Sequence, residues 1–407
     1  MELLSPAGNL EKLKYAIAYG ADAVYAGGKE YSLRAKADNF DPDELKKAVE
    51  YCHSLGKKLY ITTNIFAHEE DFRELPDYLQ YLDRIKVDAV IASDPGVISL
   101  IQEHTSIPIH ISTQANVTSS QSVKFWKRQG IKRIILAREL SRDEIMVIRE
   151  QNPDIELEIF VHGAMCISYS GRCLLSAFLN QRSANRGLCT HPCRWTYSLV
   201  EESRPDQKFE IDEDERGTYI LNSKDLCLLN RIEDIQNIGI DSIKIEGRMK
   251  SLYYVANVTR VYRTAIDMLK QGKEIPEILR QELDKLSHRP YTEGFYPGNG
   301  SLDMQTYGKD TYEREYQYIG KIIDHDQGVA AVDCGSKFVV GDEIEFIFPQ
   351  ITDDFTYKVQ EFRNQDGEVV DLSKPNQVFH IPINHDIPDM GIIRLGKKNS
   401  EIDGNNT

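Results

Sequence analysis

Eight short apolar runs, separated by segments of helical period, fill the first 250 residues of this chain. They are ELLSPA (2–7), DAVYAGG (22–28), KLYITTN (58–64), DAVIAS (ending at Ser93), IPIHIST (107–113), RIILA (133–137), LEIFVHG (157–163) and DSIKIEG (241–247). Near-continuous apolar strands that alternate with helices predict a parallel sheet covered on its outer face. The first of these helices is expected to begin at Asn9, a good N-cap, with Leu10, Leu13, Ala16 and Ile17 on one face. Eight such units over some 250 residues suit a (β/α)8 TIM-like barrel better than a doubly wound sheet.

Near HRPYTEGFYPGNGS (288–301) the pattern changes to clustered Gly and Pro. Six short alternating runs follow: YQYIGKII, GVAAVDC, FVVGDEIEFIF, YKVQEF, VFHIPI and MGIIRL. They predict a small C-terminal antiparallel β-barrel. The expected division is a catalytic domain at 1–290, a linker at 291–311, the small domain at 312–395 and a disordered tail at 396–407. The small domain, as a compact barrel, is expected to offer a binding surface.

A barrel directs attention to the carboxyl ends of its strands, where TIM-barrel active sites are built. Those ends carry Ser5, Tyr25, Asn64, Ser93, Asp94, Ser112, Gln114, Arg138, His162, Lys244 and Glu246. About 80 residues separate the seventh run from the eighth, which makes that segment an insertion on the active face. Within it, Glu201–Gly217 reads as a mobile polar loop.

The insertion also concentrates cysteine: Cys166, Cys173, Cys189 and Cys193 are four of the chain's seven. The start of the sequence reads as a strand and helix rather than a secretory signal, and no apolar run reaches membrane-spanning length. The expected compartment is therefore the cytoplasm, where clustered cysteines bind metal or do redox work more often than they form disulfides. Three readings of the four stay open. Zinc favours a C-x-x-C spacing that neither pair has. An iron–sulfur cluster accepts irregular spacing, and the neighbouring Gly163, Gly171 and Gly187 would let the backbone bend around it. The third reading is plain packing of small hydrophobes, which also suits Cys52 and Cys334. Cys227, in NSKDLCLL, reads as helix packing and as a substitute ligand.

The net charge of −15 argues against a sequence-blind nucleic-acid binder. It leaves room for an RNA enzyme with a locally basic lining. No G-x-S-x-G elbow and no H-E-x-x-H is present, which argues against a peptidase. His162, four residues before Cys166, keeps a Cys–His pair open.

EIFVHGAMCISYSGRCLLS resembles the signature of the collagenase-like peptidase family U32 at Glu158, Phe160, Gly163, Cys166, Gly171, Cys173 and Ser176. ELLSPAGN, GADAVYAGG, NRGLCTHPCRW, LNSKDL and IKIEGRMKS extend the resemblance over nearly the whole barrel region. The small domain resembles one appended in the tRNA-hydroxylating branch. That resemblance implies formation of 5-hydroxyuridine at the wobble position of tRNA, with prephenate as co-substrate and an electron donor that the sequence leaves unnamed. It also implies a cluster, of the 4Fe–4S type, on Cys166, Cys173, Cys189 and Cys193. Sister branches act on a ribosomal RNA cytidine or a quinone precursor, and the family name keeps a peptidase as the alternative. Prephenate, or a related small anion, would need cations, so Lys244, Arg248 and Lys250, beside Glu246, become candidate substrate-binding residues. Arg34, Gln114, Arg138 and His162 are further candidates. RVYR (260–263) is expected to be a solvated helix face.

Overall fold

The computed structural model describes residues 1–32, 38–165, 173–184, 188–190, 192, 224–298, 313 and 315–397 except 385. Four two-residue β segments between 199 and 218 are also described. Cys166, Cys193, Gly171, Gly187, Arg34, most of 201–217 and the tail beyond 397 lie outside the described residues.

All eight apolar runs become barrel strands. They are β1 (Glu2–Pro6), β2 (Ala23–Ala26), β3 (Lys58–Thr62), β4 (Ala89–Ala92), β5 (Ile109–Ile111), β6 (Arg133–Ile135), β7 (Glu156–Ala164) and β8 (Ser242–Ile245). Each pairs in parallel with the next, and β8 pairs with both β7 and β1, which closes the barrel. Local chemistry fixes the helix starts. Asn9 accepts from Lys12 N, while Asp41–Glu44 and Ser141–Glu144 form capping boxes.

The lumen departs from the branched aliphatic layers usual in such barrels. Glu158, fully buried on β7, lies 3.2 Å from Lys244 Nζ and 3.2 Å from Arg133 Nη1. Arg133 also pairs with Glu2, whose other oxygen accepts from Tyr60 at 2.9 Å. Two acids and two bases thus run as a neutral ladder up the barrel interior. Removing one member of such a buried set typically costs about 3–5 kcal/mol, because a partner charge is stranded.

Two expectations fail here. Cys227 lies in a short strand, Asp225–Cys227, antiparallel to the end of β7, rather than in a helix. The RVYR segment is not solvated: within the helix Leu252–Lys270, Arg260 and Tyr262 are 0 % exposed. The helix is sandwiched between the barrel and the C-terminal sheet. Arg260 reaches Glu282 (2.6 Å), Asp354 (2.8 Å) and the Phe348 carbonyl (2.9 Å).

That sheet is antiparallel, curled and eight-stranded, running from Tyr316 to Gly396. The six expected runs all contribute, and Phe362–Arg363 and Val369–Val370 add two short strands. Phe338, Phe346, Phe348, Phe362 and Phe379 form a core of its own. Ile347 and Ile392 instead join the core of the barrel. Arg394 donates to Glu282 (2.8 Å) and Glu345 (2.6 Å), so Glu282 is gripped by an arginine from each side of the junction. Burial raises the Glu282 pKa, but hydrogen bonds and charge from Arg394, with Arg260 and Lys285, prevail and pull it down to about 2. Among the described residues no helix is long and apolar enough to cross a membrane.

Candidate active face at the barrel mouth

The mouth is shaped first by the join of β7 and β8. Gly163 adopts φ +107°, and a Cβ there would sit 2.5 Å from the Glu246 carbonyl oxygen. Its role is this close approach, not space for a bulky group. Glu246, half-buried, is set by backbone contacts: its N–H donates to the His162 carbonyl (2.9 Å) and its carbonyl accepts from Tyr254 (2.9 Å). The Tyr25 hydroxyl donates to the Ile245 carbonyl at 3.0 Å and stands 3.4 Å from the Glu246 carboxylate.

Lys244 lies below this rim. Beyond its pairing with Glu158, its ammonium stands 4.4 Å from the Tyr25 ring centroid and 5.4 Å from that of Phe160. Arg248 turns inward and ties loops together. It donates to Ser32 (2.7 Å), Thr62 (2.6 Å) and Asn39 (2.8 Å), and a Cβ on Gly27 would meet its guanidinium at 2.7 Å. Arg138, half-buried after β6, donates to the Ala164 carbonyl (2.8 Å) over the Phe160 ring. Lys250 lies over the Tyr254 ring at 5.0 Å.

The opposite quarter of the mouth holds a neutral hydrogen-bonded set, with Asp94 capping the helix Pro95–His104 beside it. Asn64, just beyond β3, reaches across the end of β4 to Gln114 Oε1 (3.1 Å) and Ser112 Oγ (3.5 Å), beyond β5. Ser112 in turn donates to Gln114. The buried hydroxyl of Ser93, at the end of β4, has no hydrogen-bond partner. The sequence named Asn64 and Ser112 only as strand-end residues and Glu158 only as a match to the family signature, and offered none of the three as a binding residue. The signal was available, since each is a polar residue at an inward position of an otherwise apolar strand run.

His162 faces the other way. Its ring packs against those of Tyr254, Tyr262 and Tyr291 at centroid distances of 5.3–5.9 Å, behind β7. Burial pushes its pKa down to about 3, with Asp225 only partly offsetting, and Nε2 is buried without a partner. Cys227 shares this compartment, 3.9 Å from the Tyr262 hydroxyl and 3.5 Å from Arg280.

The cysteine segment leaves the mouth directly after β7. Cys173 and Cys189 are half-exposed. Sixteen positions apart in sequence, their segments are clasped together. Thr190 N donates to Ser176 Oγ (3.0 Å), and Asn180 Nδ2 donates to Thr190 Oγ1 (2.7 Å). The buried cysteines differ: burial raises the thiol pKa of Cys52 to about 12 and also raises those of Cys227 and Cys334. Such thiols stay protonated and are poor ligands.

Comparison with known proteins fits this arrangement. Residues 8–306 match the model of peptidase family U32, and residues 314–394 match the peptidase family U32 C-terminal domain. The chain is 42 % identical to tRNA hydroxylation protein P of Haemophilus influenzae, over 91 % of this chain and 90 % of that one. It is 40 % identical to tRNA hydroxylation protein P1 of Bacillus subtilis, over 97 % and 95 %. It is also 30 % identical to a protein named collagenase from Porphyromonas gingivalis, over 98 % of both. A barrel with a cysteine-bearing insertion after β7, followed by this C-terminal sheet, therefore belongs to peptidase family U32.

Proposed function

We propose that this protein is an RNA-modifying enzyme that supports hydroxylation of the wobble uridine of tRNA to 5-hydroxyuridine. The observation that carries the reading is the whole-length similarity to two proteins named for tRNA hydroxylation, at 40 % identity or more. The finer proposal adds prephenate, or a related small anion, as co-substrate and an iron–sulfur cluster of the 4Fe–4S type. Cys173 and Cys189 fit such a group, since both are half-exposed and on clasped segments, while the buried thiols are not suited to ligation. Cys166 and Cys193 would complete the set. When bound, a cluster of this kind supplies one-electron transfer.

The remaining chemistry belongs to the chain itself. Arg138 gives the wall of the mouth a positive charge, which suits a carboxylate ligand, while the charge of Lys244 on the floor is matched by Glu158. Arg248 acts as a positioning residue that holds the loops after β2 and β3 against the one after β8. Asn64, Ser112 and Gln114 offer neutral hydrogen-bonding groups of the kind that read a base edge. His162 is buried among tyrosine rings behind β7, and a pKa of about 3 makes it too weak a base for a peptidase dyad.

Nucleoside analysis of tRNA from a deletion strain tests the function. Loss of 5-hydroxyuridine derivatives, restored by wild type but not by Cys173→Ala, is the expected result, and unchanged tRNA would refute the reading. Anaerobically purified protein should be brown and bleach with dithionite; colourless protein carrying stoichiometric zinc would remove the cluster. The relative named collagenase favours a second reading, which cleavage of gelatin by the pure protein would support.

A further inference from the structure

Acidic residues are unevenly spread along this chain. It holds 64 Asp and Glu in 407 residues, about one in six, yet residues 104–138 and 159–200 hold none. At the average frequency those 77 positions would carry about a dozen. The first stretch contains six Lys and Arg; the second contains four, Arg172, Arg182, Arg186 and Arg194. Of the first six, Lys124, Lys127 and Arg128 lie on the helix Ser120–Arg128 and Arg133 is paired inside the barrel, while Arg138 reaches the end of β7. Residues 104–138 include β5 and β6 and end at Arg138 on the mouth, and 159–200 run from β7 into the cysteine segment. The sheet at 316–396 has the opposite balance, with 14 Asp and Glu against 6 Lys and Arg.

The cysteine segment is also unusually apolar at its surface. Leu174 is 73 % exposed, and Leu179 and Leu188 are each 42 % exposed. They surround the helix Leu175–Asn180, beyond which exposed Arg182 is anchored by its N–H to the Ser176 carbonyl at 3.2 Å. Leu188 N donates to the Ser183 carbonyl at 3.0 Å, so leucines and arginine share one small lobe. Clustered exposed apolar side chains mark contact surfaces. Set beside Arg182 and away from any acid in sequence, they match a partner that presents both phosphates and unstacked base faces, as single-stranded RNA loops do.

We propose that the lobe carrying Cys173 and Cys189 is the surface that grips the RNA loop. Phosphates contact Arg182, and an unstacked base lies against the leucines. The small domain, expected from sequence to help bind, is too acidic for that role and stays clear of the RNA. This rests on the RNA-modifying reading above and assigns it a face.

Binding of a full-length tRNA transcript to the intact protein, followed by fluorescence anisotropy from 50 to 200 mM salt, tests the assignment. Arg182→Glu should weaken binding about tenfold and flatten the salt dependence by roughly one counterion. Leu174→Ser should weaken binding with the salt slope unchanged, and Lys374→Glu on the small domain should change nothing. All three side chains are exposed, and an unaltered thermal melt confirms that each variant folds. Wild-type binding that survives both Arg182→Glu and Leu174→Ser within twofold, or falls with Lys374→Glu, overturns the surface but not the function. A wild-type protein that binds no RNA overturns the functional reading itself.

Discussion

His162 is enclosed by three tyrosine rings behind β7, where burial keeps its imidazole neutral to about pH 3. In the unfolded chain the same group titrates near 6.5. Below that value the unfolded state binds a proton that the folded state refuses, so stability falls as pH drops from 6.5 toward 3. Replacing His162 with Phe should therefore flatten the unfolding free energy against pH over this window, by about 1.4 kcal/mol per pH unit. Urea titrations at pH 6, 5 and 4 would show it, and an identical slope would mean that the folded imidazole takes up its proton. The sequence placed His162 on the mouth because it lies at the end of the seventh apolar run, and Glu158 and Phe160, four and two positions before it, do point inward. The bulge between Lys244 and Ile245 breaks that alternation by pairing Ile245 with His162, and no composition signal announces a bulge. Lys244 and Arg248 were legible as cations at the end of β8. Their partners, Glu158 and the Ser32–Thr62–Asn39 set, depend on strand closure and were not.

At the level of elements, legibility followed the apolar pattern. The eight barrel strands could be read because each lies in a nearly unbroken apolar run, whereas Asp225–Cys227 starts on an acid within NSKDLCLL and carries no period to detect. The helix Leu252–Lys270 misled for a different reason. Arginine at helical spacing looks the same whether it meets water or the carboxylates of another domain, and Arg260 and Arg263 take different routes here. Arg263 pairs with Asp22 and Asp267 near the surface, whereas Arg260 is wholly buried. Replacing Arg260 with Ala should cost about 3–5 kcal/mol, since Asp354 and the Phe348 carbonyl would be left buried without their donor. Arg263→Ala should cost under ~1 kcal/mol. Equilibrium urea denaturation of the two variants side by side would separate them, and equal small losses would show that water replaces Arg260. In the cysteine segment the sequence could offer candidates by residue type alone, and the Ser176–Thr190 clasp adds what spacing could not, a contact between the two cysteine-bearing segments.

Across the whole molecule, barrel and C-terminal sheet are bound by more than adjacency. Ile347 and Ile392 belong to the barrel's core, Tyr19 donates to the Ile347 and Met390 carbonyls, and Glu282 is held from both sides. Deleting residues 316–397 should therefore yield aggregated or partly unfolded protein by gel filtration and far-ultraviolet circular dichroism. A soluble barrel that melts within a few degrees of the intact protein would show that the junction contributes little. Point variants on the sheet's outer face, rather than its removal, are the sound way to probe its role. The junction also bears on how the protein is made. Glu282 emerges from the ribosome 112 residues ahead of Arg394, and Arg260 emerges 94 ahead of Asp354. During that interval the last barrel helices present a buried-type charge cluster and a bare apolar seam to the cell. Domains of most chains settle in order of synthesis; here the first domain must wait for the second, and that delay is where a chaperone would find it.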